Sequence, residues 1–332
     1  NSGQTATSDN NGAFTFTGLS GRNELYFFQE NWGFSPNPLE VTKATAGIII
    51  SRTALPGTNV AEPQVTSGDL HSLLLKGDGT VWAWGQNNLG QLGNGTTTDS
   101  SLPVKVSGLS SIKAIAGGGY HSIALKGDGT IWTWGYNERS QLGNGSCTGS
   151  NIPVQVSGLS GVVAIAGGRL HSIALRDDGT VWGWGGNVSG ELGNGKAESF
   201  VTLPVQASGL GDVVAIAAGV WHSIALKEDG TVWAWGHNEF GQLGNGTVAY
   251  STIPVQVSGL SGAKAVAGGE DHTIALKEDG TVWAWGSNEF GQLGNGTTTN
   301  SDIPLQVSGL SGVVAIAAGR NHSTAVKNDG TV

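Results

Sequence analysis

The chain has 332 residues, a net charge of −9 and 56 glycines. That length allows one large or two ordinary domains. The acidic balance disfavours nucleic acid, which asks for clustered Lys and Arg, and it disfavours an anionic membrane surface.

Glycine stands far above its usual share of roughly 7%. There is no Gly-X-Y period, so collagen is excluded, and glycine among short apolar runs points to many tight turns and an all-β chain. The longest apolar run, "AGIII" (Ala46–Ile50), has strand length, far below the roughly 18 residues of a spanning helix. No membrane insertion is expected in this segment. Cys147 is the single cysteine and cannot form an internal disulfide. The chain has no methionine and no leader, and it stops inside a repeat at "KNDGTV". We therefore expect it to be part of a longer protein, with any export signal outside it.

In chain order, residues 1–50 come first. "TSDNNGAFTFTGLSG" alternates from Ala13 to Thr17 after an Asn-Gly turn, and "YFFQENWGFSPNPLEVT" follows. This reads as the end of a small β-sandwich, with a linker over residues 51–60.

A Gly-x-x-His-Ser/Thr block then recurs at His71, His121, His171, His222, His272 and His322, at spacings of 50, 50, 51, 50 and 50. A fixed period of this size means a solenoid or a propeller. Each unit offers four strands. In the fourth unit they are "VVAIAAG" (Val213–Gly219), "HSIALK" (His222–Lys227), "TVWAWG" (Thr231–Gly236) and "IPVQV" (Ile253–Val257). Asp229-Gly230 between the second and third predicts a type I′ hairpin. Four short antiparallel strands without helical period make a β-propeller blade, and the density of Gly and β-branched residues excludes helical repeats. We place five blades at 61–108, 109–158, 159–208, 209–259 and 260–309, and a partial sixth at 310–332. Pro63, in the expected first strand of the first blade, suits an edge.

Positions identical in every blade serve what all blades share. The Trp-x-Trp pairs (Trp82/Trp84, Trp132/Trp134, Trp182/Trp184, Trp233/Trp235, Trp283/Trp285) leave one strand face. We read them as wedges between adjacent blades rather than as a sugar platform. The six repeated histidines are read as structural too, with ring nitrogens bonding backbone groups of a turn. His237, in "WGHN", lies outside the pattern and is expected to be solvated. "GQLGNG" lacks the Lys-Ser/Thr ending and strand-to-helix setting of a phosphate loop, so its glycines serve turns. "NGT" at Asn94, Asn245 and Asn295 is likewise read as turn chemistry. No HExxH, CxxC or Gly-x-Ser-x-Gly occurs, and "DNNG" (Asp9–Gly12) lacks the later ligands of a calcium loop. Cys147 lies in a variable loop without a motif partner. No metal, no cofactor and no enzymatic activity are expected.

Positions that change between blades are free to carry function. Between Gly and His stand Asp69-Leu70, Gly119-Tyr120, Arg169-Leu170, Val220-Trp221, Glu270-Asp271 and Arg320-Asn321. All connect a first strand to a second, so all fall at one end of the ring. A second variable set follows the Gly of each "WG", and a third follows "LGNG". Aromatic and Arg side chains are the usual anchors of protein interfaces. We expect this rim to bind another protein, with Tyr120 and Trp221 as anchors.

The run "GxxHSxALKxDGTVWAWGxNxxGQLGNG…PVQV" resembles the repeat of the regulator of chromosome condensation family, over roughly residues 61–332. The resemblance implies a seven-bladed propeller, and hence further blades. The β-lactamase inhibitor protein of this fold implies that a propeller face can grip an enzyme. Guanine nucleotide exchange, the namesake's role, uses an inserted wedge, whereas the spacing here never exceeds 51. The plant ultraviolet-B photoreceptor carries Gly-Trp-Arg-His-Thr in successive blades, and only "GVWHS" (Gly219–Ser223) comes near it. An enzyme or carbohydrate-binding module remains an alternative, although glycoside hydrolysis needs paired carboxylates and Glu270-Asp271 has no evident partner. "TSDNNGAFTFTGL" resembles a carboxypeptidase-regulatory-like sandwich. The combination implies a bacterial protein that is secreted or displayed on the cell surface.

Overall fold

The computed structural model describes residues 61–332 and, before them, the strands Glu24–Leu25, Leu39–Ala44 and Gly47–Ser51. The chain divides into two compact units, Asn1–Asn59 and Val60–Val332. In the first, the three strands form one antiparallel sheet, with Leu39–Ala44 in the middle. The motif behind the sandwich reading and linker residues 52–60 lie outside the described residues.

The second unit holds five four-stranded antiparallel sheets and a two-stranded sixth, each in simple sequence order. No helix occurs among the described residues. In the fourth blade the strands are Val213–Ala218, His222–Lys227, Val232–Gly236 and Ser251–Gln256. The first strands of all six blades line a central channel of about 930 Å³. Their small channel-facing residues, such as Ala166, Gly167, Ala217 and Ala267, let six strands converge around it. The second strands are buried on nearly every residue, as in "HSIALK", because blades cover both their faces. A strand covered on both sides reads as a continuous apolar run rather than an alternation. The first strand of the first blade is Gln64–Ser67, so Pro63 precedes the strand rather than occupying it.

The Asp-Gly hairpin differs from the expected type I′ turn. Gly230 has φ +76°, and Asp229 is not among the residues of positive φ. Gly230 N donates to Lys227 O at 3.0 Å and Lys227 N donates to Thr231 O at 3.0 Å. This is a type I turn closed by a glycine bulge. The reason is the carboxylate of Asp229, which accepts from the N and Oγ1 of Thr231 at 2.9 and 2.6 Å. That side-chain bond keeps Asp229 in an ordinary conformation and leaves the left-handed position to Gly230.

The core lies between blades. Trp134 of the second blade packs, fully buried, with Leu73, Leu75, Val81 and Leu92 of the first. Trp184, Trp235 and Trp285 do the same against the blades before them. Their partners Trp132, Trp182, Trp233 and Trp283 pack half-buried on the same clusters. Trp84, in the first blade, is half-buried. Trp82 is stacked by Lys76, whose Nζ lies 4.0 Å from the ring centre. The one extra residue of the repeat falls in the third blade, whose outer strand, Glu198–Gln206, runs to nine residues with two register shifts.

Candidate functional site

Each first strand ends at the channel mouth in the Gly-x-x-His turn, and successive turns are tied to one another through the backbone. Asp69 N donates to Gly119 O at 3.1 Å, Gly119 N to Gly168 O at 3.1 Å, Arg169 N to Val220 O at 3.1 Å, Val220 N to Gly269 O at 3.0 Å and Glu270 N to Arg320 O at 3.0 Å. The variable residues therefore ride on a fixed ring.

The histidines hold that ring from below, but not through backbone groups as the sequence reading expected. Each Nε2 meets a hydroxyl of the following blade: His71 with Ser122 at 2.9 Å, His121 with Ser172 at 2.8 Å, His171 with Ser223 at 3.1 Å, His222 with Thr273 at 2.9 Å and His272 with Ser323 at 3.0 Å. The turn is already closed by its own backbone, as Gly118 N donates to His121 O at 2.9 Å. Nε2 is thus left for the blade interface. Each hydroxyl donates in turn to a carbonyl of the preceding blade, Ser172 to Gln141 O at 3.0 Å, and Trp184 Nε1 donates to that same carbonyl at 2.8 Å. A hydroxyl that donates there accepts from the imidazole, so a proton rests on Nε2. Burial lowers these histidines from 6.5 to about 4 for His71, His171 and His272, and to about 3 for His121 and His222. His322 is exposed.

The loops after each "WG" are organised by residues that the sequence reading did not single out. Asn87, Asn137, Asn187, Asn238 and Asn288 are fully buried. In the fourth blade, Asn238 Oδ1 accepts from Leu243 N at 2.9 Å, and its amide donates to Thr247 O and Ala249 O at 2.8 and 2.9 Å. Their identity in every blade was the available signal. The "NGT" asparagines cap local turns, Asn94 Oδ1 accepting from Thr96 N at 3.1 Å.

On this scaffold the structure gathers the rim residues into three groups. Arg169 lies between Tyr120 and Trp221, its guanidinium carbon 5.5 and 5.4 Å from the two ring centres. Its Nη2 donates to Tyr120 Oη at 2.9 Å, and its Nε lies 3.5 Å from Asp69 Oδ2. This reach passes over Gly119, where an added Cβ would come within 2.7 Å of Arg169 Cγ. Tyr136, from the second variable set, meets Tyr120 edge to face at 6.2 Å. Arg320 and Glu270 form a two-pronged pair at 2.7 and 2.9 Å. Glu270 and, less strongly, Asp69 hold the Arg320 guanidinium above its ordinary range.

The third group corrects an expectation. His237 is largely buried rather than solvated, with its side chain 16% exposed. Gln242 Nε2 donates to His237 Nδ1 and to Asp271 Oδ1, each at 2.8 Å. Tyr250, of the third variable set, lies 4.5 Å from the His237 ring. The reason is the neighbouring turn, since His237 N donates to Trp221 O at 3.0 Å and so faces the mouth. Leu170 is half-buried beside Gly186, while Leu70 and Asn321 are exposed and join no group. Cys147 Sγ lies 3.2 Å from Ser140 Oγ. Among the described residues, no three His, Cys, Asp or Glu side chains are placed to hold a metal ion.

Comparison with known proteins follows the same repeat. The regulator of chromosome condensation (RCC1) repeat matches residues 78–125, 128–175, 178–226, 229–276 and 279–326. Human E3 ubiquitin-protein ligase HERC2 is 36% identical over 200 residues, which are 59% of this chain but 3% of HERC2. The ultraviolet-B receptor UVR8 of Arabidopsis thaliana is 42% identical over 50 residues, 15% of this chain and 11% of the receptor. Among solved structures, human WBSCR16 superposes with a TM-score of 0.72 at 26% identity, covering 83% of this chain and 75% of that one. Yeast RCC1 (Prp20), in a crystal structure bound to Kap60, superposes with a TM-score of 0.72 at 27% identity, covering 80% and 68%. With five repeats matched over most of its length and the same propeller in both structures, the chain belongs to the RCC1 repeat family.

Proposed function

We propose that this chain is a non-catalytic protein-binding propeller that docks a partner on the rim of its Gly-x-x-His turns. One observation carries the reading. At the channel mouth, Arg169 is held between Tyr120 and Trp221 on an invariant ring, so an aromatic and cationic anchor is rigid before any partner arrives. Side chains already ordered lose little freedom on binding, and Trp, Tyr and Arg dominate interface energetics. All three variable sets meet at this end, through Tyr120 with Tyr136 and His237 with Tyr250. Yeast RCC1, bound to Kap60 in its crystal structure, supports the reading by likeness.

A secreted or bacterial cell-surface setting belongs to the proposal as well. It rests on the N-terminal resemblance, and the relatives named above are eukaryotic. Guanine nucleotide exchange is the second reading, favoured by the likeness to yeast RCC1 and opposed by the uniform 50–51-residue spacing, which holds no wedge between the repeats.

The test is an affinity capture. The full chain and a Tyr120→Ala/Trp221→Ala variant are immobilised and offered surface and secreted proteins of the source organism. A protein retained by the former and lost by the latter supports the rim. Equal retention by a folded variant overturns it.

A further inference from the structure

The rim acids are not all alike. Asp69 faces Arg169, and Glu270 is paired with Arg320. At the rim of the fourth and fifth blades, Glu239 and Asp271 lie 3.7 and 3.4 Å from His237, and no Lys or Arg pairs with either among the described residues. An amide nitrogen can only donate, so His237 Nδ1 accepts from Gln242 Nε2 rather than donating to Asp271. The same amide holds Asp271 Oδ1, which orders the carboxylate without neutralising it.

A third carboxylate adds to this excess from beneath. Glu191 is 4% exposed, at a position that is Gln in the other four complete blades. Its Oε2 accepts from Ser189 N at 2.9 Å. Burial, and then Glu239, Asp271 and Glu191 in turn, raise the Tyr250 hydroxyl above its ordinary value. Beside the acids lies apolar surface, with Tyr250 50% and Val248 59% exposed.

We propose that this sector, built from Glu239, Asp271 and Glu191 around Tyr250, is the seat of an Arg or Lys side chain of the protein partner. The proposal rests on the rim reading above and names the chemistry of what docks there. A long cationic side chain matches both halves of the surface. Its aliphatic stem lies along Val248 and Tyr250, while its head meets the ring face and the carboxylates. A metal ion suits the sector poorly, because no three ligating side chains converge there among the described residues. The next blade does not repeat the seat. In the fifth blade Ser287 replaces His237 and takes the Gln292 amide at 3.3 Å, and the next turn offers Asn321 where Asp271 stands.

The test is calorimetric titration of the full chain with an arginine–glycine repeat octapeptide and, as control, its glutamate–glycine counterpart. Binding of the arginine peptide alone is expected, weakened about tenfold or more by Glu239→Gln/Asp271→Asn. The pair Glu228→Gln/Glu278→Gln removes the same charge at the opposite end of the ring and is expected to change nothing. No binding of the arginine peptide, or equal weakening by both pairs, overturns the seat, the latter showing mere net-charge attraction. The Glu239→Gln/Asp271→Asn variant also enters the capture experiment. A protein lost on Tyr120→Ala/Trp221→Ala but kept on Glu239→Gln/Asp271→Asn overturns the seat while the rim reading stands. A protein lost on neither overturns the rim reading.

Discussion

His121 Nε2 lies 2.8 Å from Ser172 Oγ, in the next blade and 51 residues on in the chain. The bond joins two blades at the level where the rim is built, and it recurs at every interface from His71 to Ser323. A hydroxyl that spans an imidazole and a carbonyl is hard to replace. Ser172→Ala leaves His121 Nε2 and one bond to Gln141 O unmet in a dry interface. Orphaning a buried polar group costs about 1–3 kcal/mol. We expect a loss of that size in urea unfolding, with Ser172→Thr close to wild type because Thr273 fills the same role in the fifth blade.

The same ladder sets the acid response. Five histidines that titrate near 6.5 when unfolded are held at about 3 or about 4 when folded. Between those values the unfolded chain binds more protons than the folded one, so stability falls as pH falls. The loss begins near pH 6.5 and grows by about 1.4 kcal/mol per histidine per pH unit until each folded value is passed. Unfolding free energy measured from pH 7.5 to 4.5 should drop steeply, and His121→Gln should flatten the slope.

Glu191 acts with the opposite sign. Burial raises its carboxyl above 4.5, so the charged form is disfavoured in the fold. Its cost is absent below pH 4.5, grows through the raised value and is complete above it. Glu191→Gln, the residue of the other complete blades, should stabilise the propeller by about 0.5–2 kcal/mol at pH 7.5 and by little at pH 4. Thermal melts at the two values check this.

Arg169 is stacked on two rings and bonded to Tyr120 Oη. Arg169→Ala should cost about 1–2 kcal/mol, since its side chain is largely covered. Gly119→Val should displace Arg169 and produce much of that loss with the arginine still present. Melting temperatures of the two variants, and of the pair combined, show whether the effects overlap as this predicts.

Much of this architecture is legible in the chain. The fifty-residue period, the strand quartets and the repeated Trp-x-Trp all announce blades, because each blade solves the same packing problem with the same letters. The variable pairs between Gly and His are legible too, as letters that escape that demand. What escaped the reading depends on neighbours. The Asp-Gly turn became a type I turn with a bulge because the Asp229 carboxylate bonds Thr231. His237 became buried because the next turn brings Asp271 and its own loop brings Tyr250 against it. Glu191 differs from Gln by one atom type, and only its burial makes that difference costly.

The repeat thus settles the blade, its strand order and which residues are common property, since these follow from local pattern and turn chemistry. It does not say which hydroxyl a histidine meets or which acid an arginine faces. Those partners lie about fifty residues or more apart and come together when blades pack around the channel. Arg169 reaching over Gly119 to Asp69, and Glu239 and Asp271 left without a cation, are outcomes of that packing.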